Sequence, residues 1–126
     1  NTAGLAFSNT KTAAAHSLSY PLTINYGIPH GVASSISLIP LLEINKNYIY
    51  KELDIIYQQI ETGYCGLIKM IKSIPNGILP YKLNKWGIKR DEVEFLTDNV
   101  FNTDRINNNI KNLCRQEVKD ILLNIL

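Results

Sequence analysis

Over residues 1–45 the only charged side chains are Lys11 and Glu43, and every other Lys, Arg, Asp and Glu lies further along the chain. A stretch this poor in charge, and rich in Ala, Ser and Gly, is disfavoured against bulk water and is expected to form the inner layer of whatever it folds into. Residues 46–126 read differently: Ile, Leu and Tyr alternate with Lys, Asn, Asp and Glu at helical intervals, the pattern of outer helices. With 126 residues, 45% of them hydrophobic and 19% charged, the chain is long and apolar enough for one domain with its own core. A net charge of +2 is too mild for a nucleic-acid binder, which needs a dense basic patch. Asn, Lys or Pro interrupts every apolar run before the roughly 18 residues that a membrane span requires, so no membrane association is expected.

Cys65 and Cys114 are far apart, have no CxxC spacing and no nearby His, and are expected to be reduced, partly buried residues of a cytoplasmic protein. The chain begins at Asn1 without Met and without the charged and apolar regions of a signal peptide, which suggests a fragment of a longer polypeptide.

The fold class expected is all-α. Ser8-Asn9-Thr10 offers capping side chains ahead of a helix over residues 11–20, where three consecutive alanines favour helix and Pro21 should end or kink it. Gly27-Ile28-Pro29 is a turn, and Pro29 pre-sets the chain for a second helix over residues 30–45, bent at Pro40. Further helices are expected over residues 48–62, 64–73, 89–99 and 116–126, with Pro75-Asn76-Gly77 and Asn107-Asn108-Asn109 as connections. No segment alternates apolar and polar residues between hairpin turns, so no strands are assigned. Leu53, Ile56, Tyr57 and Ile60 form one apolar stripe, and Val118, Ile121, Leu122 and Ile125 another; both should pack inward. Asp91, Glu92 and Glu94 are read as carboxylates that complement the dipole in the first turn of their helix.

Chemistry concentrates in the first thirty residues. His16 and His30 are the chain's two histidines, both in the segment that nearly lacks charge. A lone histidine in such a helix is more often a hydrogen-bonded core residue than a metal ligand. Two features favour ligation. Small alanines before His16 let a ligand or another backbone approach, and the Gly-x-Pro turn before His30 allows one helix to run out and the next to return with both imidazoles facing one point. Two imidazoles remain an incomplete site, since a catalytic metal takes three or four protein ligands.

The run Gly4-Leu5-Ala6-Phe7-Ser8-Asn9-Thr10-Lys11-Thr12-Ala13-Ala14-Ala15-His16, with Tyr20-Pro21-Leu22 and Gly27-Ile28-Pro29-His30-Gly31, resembles the metal-binding core of iron-containing (group III) alcohol dehydrogenases. The 14-residue separation of His16 and His30 matches that family's spacing between its last two metal-ligand histidines. The clear resemblance covers residues 1–45, and the remainder fits as the rest of the family's helical C-terminal domain. It implies a two-domain enzyme in which an N-terminal α/β domain binds NAD or NADP and a bundle-like helical C-terminal domain, here residues 1–126, holds Fe(2+) in the cleft, with Zn(2+) able to occupy the same ligands. His16 and His30 would be the third and fourth ligands. The first two, an Asp and a His, and the Gly-rich dinucleotide motif have no counterpart here, so this stretch alone is expected neither to hold iron tightly nor to bind the nicotinamide. The partner implied is the N-terminal domain of the same polypeptide, and the resemblance is compatible with a homodimer.

The implied reaction is hydride transfer between NAD(P) and an alcohol/aldehyde pair, with the metal as Lewis acid. Two departures from the family pattern bear on it. At Tyr20 many members carry another His thought to pass protons; a phenol, ordinarily titrating near 10, can relay a hydrogen bond but is a poor base at about pH 7. At Thr10-Lys11-Thr12 common members have small residues. With Asn9, these side chains and a helix N-terminus would suit an anionic group on the substrate. This form also resembles the subgroup that reduces phosphonoacetaldehyde to 2-hydroxyethylphosphonate, so a phosphonate is the sharpest expectation. The alternatives are a helical interaction module that has lost its chemistry, and a zinc-dependent lyase of the dehydroquinate-synthase type.

Overall fold

The computed structural model describes residues 12–102 and 104–126, and all regular structure among them is helical. Among the described residues seven α-helices follow in order: α1 (Ala14–Tyr26), α2 (His30–Ser35), α3 (Leu38–Asn45), α4 (Tyr50–Gln59), α5 (Tyr64–Ser73), α6 (Val93–Phe101) and α7 (Arg115–Ile125). Short 3-10 turns at Leu83–Trp86, Arg90–Glu92 and Asp104–Asn108 join the later elements. None of the helices in the described residues is long and apolar enough to cross a membrane.

Helix α1 is central, packing against α2, α3, α6 and the Asp104–Asn108 turn, while α7 lies across α6 and touches α3. Its sequence explains the placement. Ala14, Leu18 and Leu22 recur every fourth residue and are fully buried, so one stripe of α1 is core. His16 and Tyr20, offset from that stripe by two positions, fall on the opposite side, where both are only half-buried. The core is completed by Ile28, Val32, Ala33 and Ile36, by Val93, Leu96 and Val100 of α6, and by Val118, Ile121, Leu122 and Ile125 of α7. Each of the larger side chains contributes about 1.5–3 kcal/mol through burial.

Pro21 does not end the first helix. It lies inside α1, which continues to Tyr26. Proline in a helix interior loses the bond to the carbonyl four residues back and costs about 3 kcal/mol; here Pro21 and Leu22 are both buried, and their packing offsets the loss. The helix stops instead at Gly27, whose φ of 65° is left-handed and whose N–H donates to the Thr23 carbonyl at 3.1 Å. The second expected helix is two helices, interrupted at Ile36-Ser37 and not at Pro40. Pro40 sits in the first turn of α3, where N–H groups lack intrahelical acceptors anyway, and its ring excludes the Ile36 carbonyl, so the break falls one turn upstream.

The acidic cluster is specifically partnered. Glu92 accepts the Lys89 N–H at 2.7 Å and the Tyr26 hydroxyl at 2.9 Å. Glu94 pairs with Lys119 at 2.7 Å and with Arg115, which also holds Asp98 at 2.6 Å, clamping α6 to α7. Asn45 and Asn109 exchange amide hydrogen bonds at 3.1 and 3.0 Å, and Asn109 also donates to the Lys111 carbonyl at 2.7 Å. Both cysteines are free, but neither is partly buried as expected; Cys65 and Cys114 are exposed. Cys65 lies in α5, which buries no side chain, and Cys114 is the residue preceding α7.

Candidate metal centre

The turn at Gly27-Ile28-Pro29 reverses the chain so that α2 starts beside the middle of α1. Ile28 is fully buried and anchors the reversal, and the Pro29 carbonyl accepts the N–H groups of Val32 and Ala33, starting α2. His30 is the first residue of that helix. Its ring comes to 5.3 Å from the ring of His16, centre to centre, with the planes tilted by 60°. Tyr20, one turn after His16 on α1, places its ring 5.9 Å from His30, tilted by 41°.

Backbone contacts set each position. Ser19 Oγ donates to the His16 carbonyl at 2.8 Å, and Ser34 Oγ to the His30 carbonyl at the same distance. Neither imidazole is hydrogen-bonded to a described residue, so both rings keep nitrogen lone pairs available to a ligand. His30 is exposed and His16 half-buried, which leaves the pair reachable from outside the chain. Among the described residues no third His, Cys, Asp or Glu joins them. Two imidazoles from consecutive helices, 5.3 Å apart centre to centre, are nitrogen donors of the kind that zinc or ferrous iron binds, and a complete site would need further ligands from elsewhere.

The other residues singled out in the sequence divide. Thr12 lies just before α1, and its carbonyl accepts a hydrogen bond from Asn108 Nδ2 at 3.1 Å. Asn9, Thr10 and Lys11 lie outside the described residues. One residue escaped the sequence reading altogether. Arg105, on the Asp104–Asn108 turn, sets its guanidinium carbon 4.6 Å from the centre of the Tyr20 ring. Nothing local marks it, because its neighbour is distant along the chain and it stands in a run of asparagines read only as a connection.

The family model described as Fe-containing alcohol dehydrogenase family, C-terminal, matches residues 1–126. A 4-hydroxybutyrate dehydrogenase of Clostridium kluyveri is 32% identical over 109 residues, an alignment covering 79% of this chain and 29% of that protein. Among solved structures, an alcohol dehydrogenase from Oenococcus oeni superposes with a TM-score of 0.79 at 21% identity, over 98% of this chain and 35% of that one. A 1,3-propanediol oxidoreductase gives 0.76 at 18% identity, over 90% and 32%. At those identities the two structures attest the fold. The chain spans about a third of the length of these relatives. By the family model that matches it from end to end, the chain belongs to the Fe-containing alcohol dehydrogenase family, whose C-terminal part it represents.

Proposed function

We propose that the chain is the metal-binding part of an NAD(P)-dependent alcohol dehydrogenase or aldehyde reductase, and that His16 and His30 are two of its metal ligands. The observation that carries this reading is the approach of the two imidazoles to 5.3 Å on a face that both helices leave accessible. When bound there, Fe(2+) or Zn(2+) supplies Lewis acidity to the substrate oxygen, and the nicotinamide, held mainly by an N-terminal domain of the same polypeptide, supplies or takes the hydride. His16 and His30 hold the ion's position through helix α1 and the start of α2. Tyr20 walls the same face and has a hydroxyl that can orient the substrate or relay a proton. A stand-alone module without chemistry has no need for such a pair, and the family assignment favours a dehydrogenase over a lyase.

For the substrate we propose a short aldehyde that carries an anionic group, with Asn9, Thr10, Lys11 and Thr12 among its contacts. Support comes from the 4-hydroxybutyrate dehydrogenase of Clostridium kluyveri, whose name denotes a substrate with a terminal carboxylate. The phosphonate expected from the Thr10-Lys11-Thr12 run, phosphonoacetaldehyde reduced to 2-hydroxyethylphosphonate, is the sharpest form of this proposal. A cytoplasmic enzyme is the corresponding setting.

The test is made on the full-length protein, loaded anaerobically with ferrous iron, by measuring bound metal and NAD(P)H oxidation. His16→Ala and His30→Ala are each expected to lose the metal and at least about 100-fold in turnover, as loss of a ligand implies. Full metal content and activity in either variant would overturn the assignment.

A further inference from the structure

Arg105 stands out among the charged groups near the two histidines. Its guanidinium lies over the Tyr20 ring at 4.6 Å, and the same ring flanks His30 at 5.9 Å. Unlike Arg115, which is engaged by Glu94 and Asp98, Arg105 is paired with no carboxylate among the described residues. It is exposed, yet its backbone is held firmly. Ile106, the next residue, is only 3% exposed and belongs to the core. Asn108 reaches across to the Thr12 carbonyl at the start of α1, and Asn109 is locked to Asn45. A guanidinium resting on an aromatic face loses little by the contact and keeps its edge N–H groups for an acceptor in its own plane. Carboxylates and phosphonates present two oxygens at the spacing of that fork.

We infer that Arg105 is a residue that grips the anionic end of the substrate, while the aldehyde end is directed to the His16/His30 pair. This rests on the dehydrogenase reading above and adds to it a specificity-determining residue. Tyr20 is then the shared wall, with the histidine site and the cation both against its ring, and the substrates selected are short aldehydes with a carboxylate or phosphonate at the far end. Lysine would be a poor replacement, since it keeps the charge but not the planar two-point grip.

The experiment compares the full-length wild type with Arg105→Gln and Arg105→Lys on 4-oxobutanoate, phosphonoacetaldehyde and butanal, and measures butyrate and propylphosphonate binding by calorimetry. In Arg105→Gln the ratio of kcat/KM for an anionic aldehyde to that for butanal should fall by about 100-fold, as expected for a charge-assisted two-point contact, with Arg105→Lys in between. The anionic aldehyde most affected identifies which of the two headgroups the site prefers. Butyrate or propylphosphonate should bind correspondingly more weakly to Arg105→Gln. An equal fall on all three aldehydes would overturn the inference and leave Arg105 as a prop for Tyr20; a rise confined to the KM for the nicotinamide would overturn it in favour of a cofactor phosphate. If the wild type reduced none of the aldehydes yet bound butyrate in an Arg105-dependent way, the dehydrogenase reading would fall and the anion site would stand. Binding that is the same in wild type and variant sinks the site itself.

Discussion

At Tyr20 the residue type and the neighbouring chemistry pull apart. It shares a face of α1 with His16, and its ring is flanked by both His30 and the Arg105 guanidinium. A phenyl ring alone would preserve all the stacking, so the hydroxyl is the part whose role can be isolated. If it relays a proton, Tyr20→Phe in the full-length enzyme should lower kcat by about tenfold with little change in metal content, and Tyr20→His should give kcat a new pH dependence centred near 6.5. A kcat unaltered in Tyr20→Phe would leave Tyr20 as a wall. The approach of the two histidines was legible in the sequence because their spacing and the Gly27-Ile28-Pro29 turn are local signals. Arg105 was not, because its meaning comes from Tyr20, and only the packing of the Asp104–Asn108 turn on α1 brings the two together.

The helices themselves were largely readable, and the corrections concern proline. Residues 64–73 form a helix as expected, and residues 30–45 are helical apart from one break, yet Pro21 lies inside α1 and Pro40 lies in the first turn of α3. Local rules state what proline costs; whether burial offsets it depends on partners such as α6 that come much later in the chain. Helix ends also carry the electrostatics. The Lys89 N–H, then the Tyr26 hydroxyl, hold Glu92 below the usual carboxylate range; Lys119 and Arg115 do the same for Glu94, and Lys111 and the Cys114 N–H for Glu117. Burial first, and Glu92 second, push the Tyr26 hydroxyl up to about 12. A carboxylate depressed in the folded state lends stability that is complete above its unfolded value of about 4.3 and is lost as pH falls through the lower folded value. For Tyr26, raised on folding, the stability is complete below about 10 and is lost as pH rises through the folded value. Thermal melts followed by circular dichroism should therefore show a plateau between about pH 5 and 9 and a fall on the acid side. Glu92→Gln should flatten that acid slope and lower the plateau. A midpoint that rises on acidification would contradict the partnering of these groups.

Two amphipathic stripes with similar sequence patterns meet opposite fates in the whole molecule. Val118, Ile121, Leu122 and Ile125 of α7 are all buried, whereas in the stripe on α4 Leu53 is buried and Ile56 is 38% exposed. Helix α5 buries no side chain, and Met70 on it and Ile74 just beyond it stand largely in the open. Periodicity says that a helix has an apolar side; it does not say whether the surrounding elements supply a surface to cover it. That surface forms where α1, α6 and α7 meet, since α1 touches nearly every other buried element and α6 and α7 are clamped by Arg115, while α4 and α5 lie at the margin. Local opening free energy follows buried apolar contact, so amide exchange should be slowest in residues 14–26, 93–101 and 115–125 and much faster in residues 50–73. Leu122→Ala should cost about 2–5 kcal/mol by urea denaturation, because it empties a site at 0% exposure, and Ile56→Ala no more than about 1 kcal/mol. Equal protection of α5 and α7, or equal costs for the two substitutions, would mean that the stripe on α4 is as much a part of the core as the one on α7.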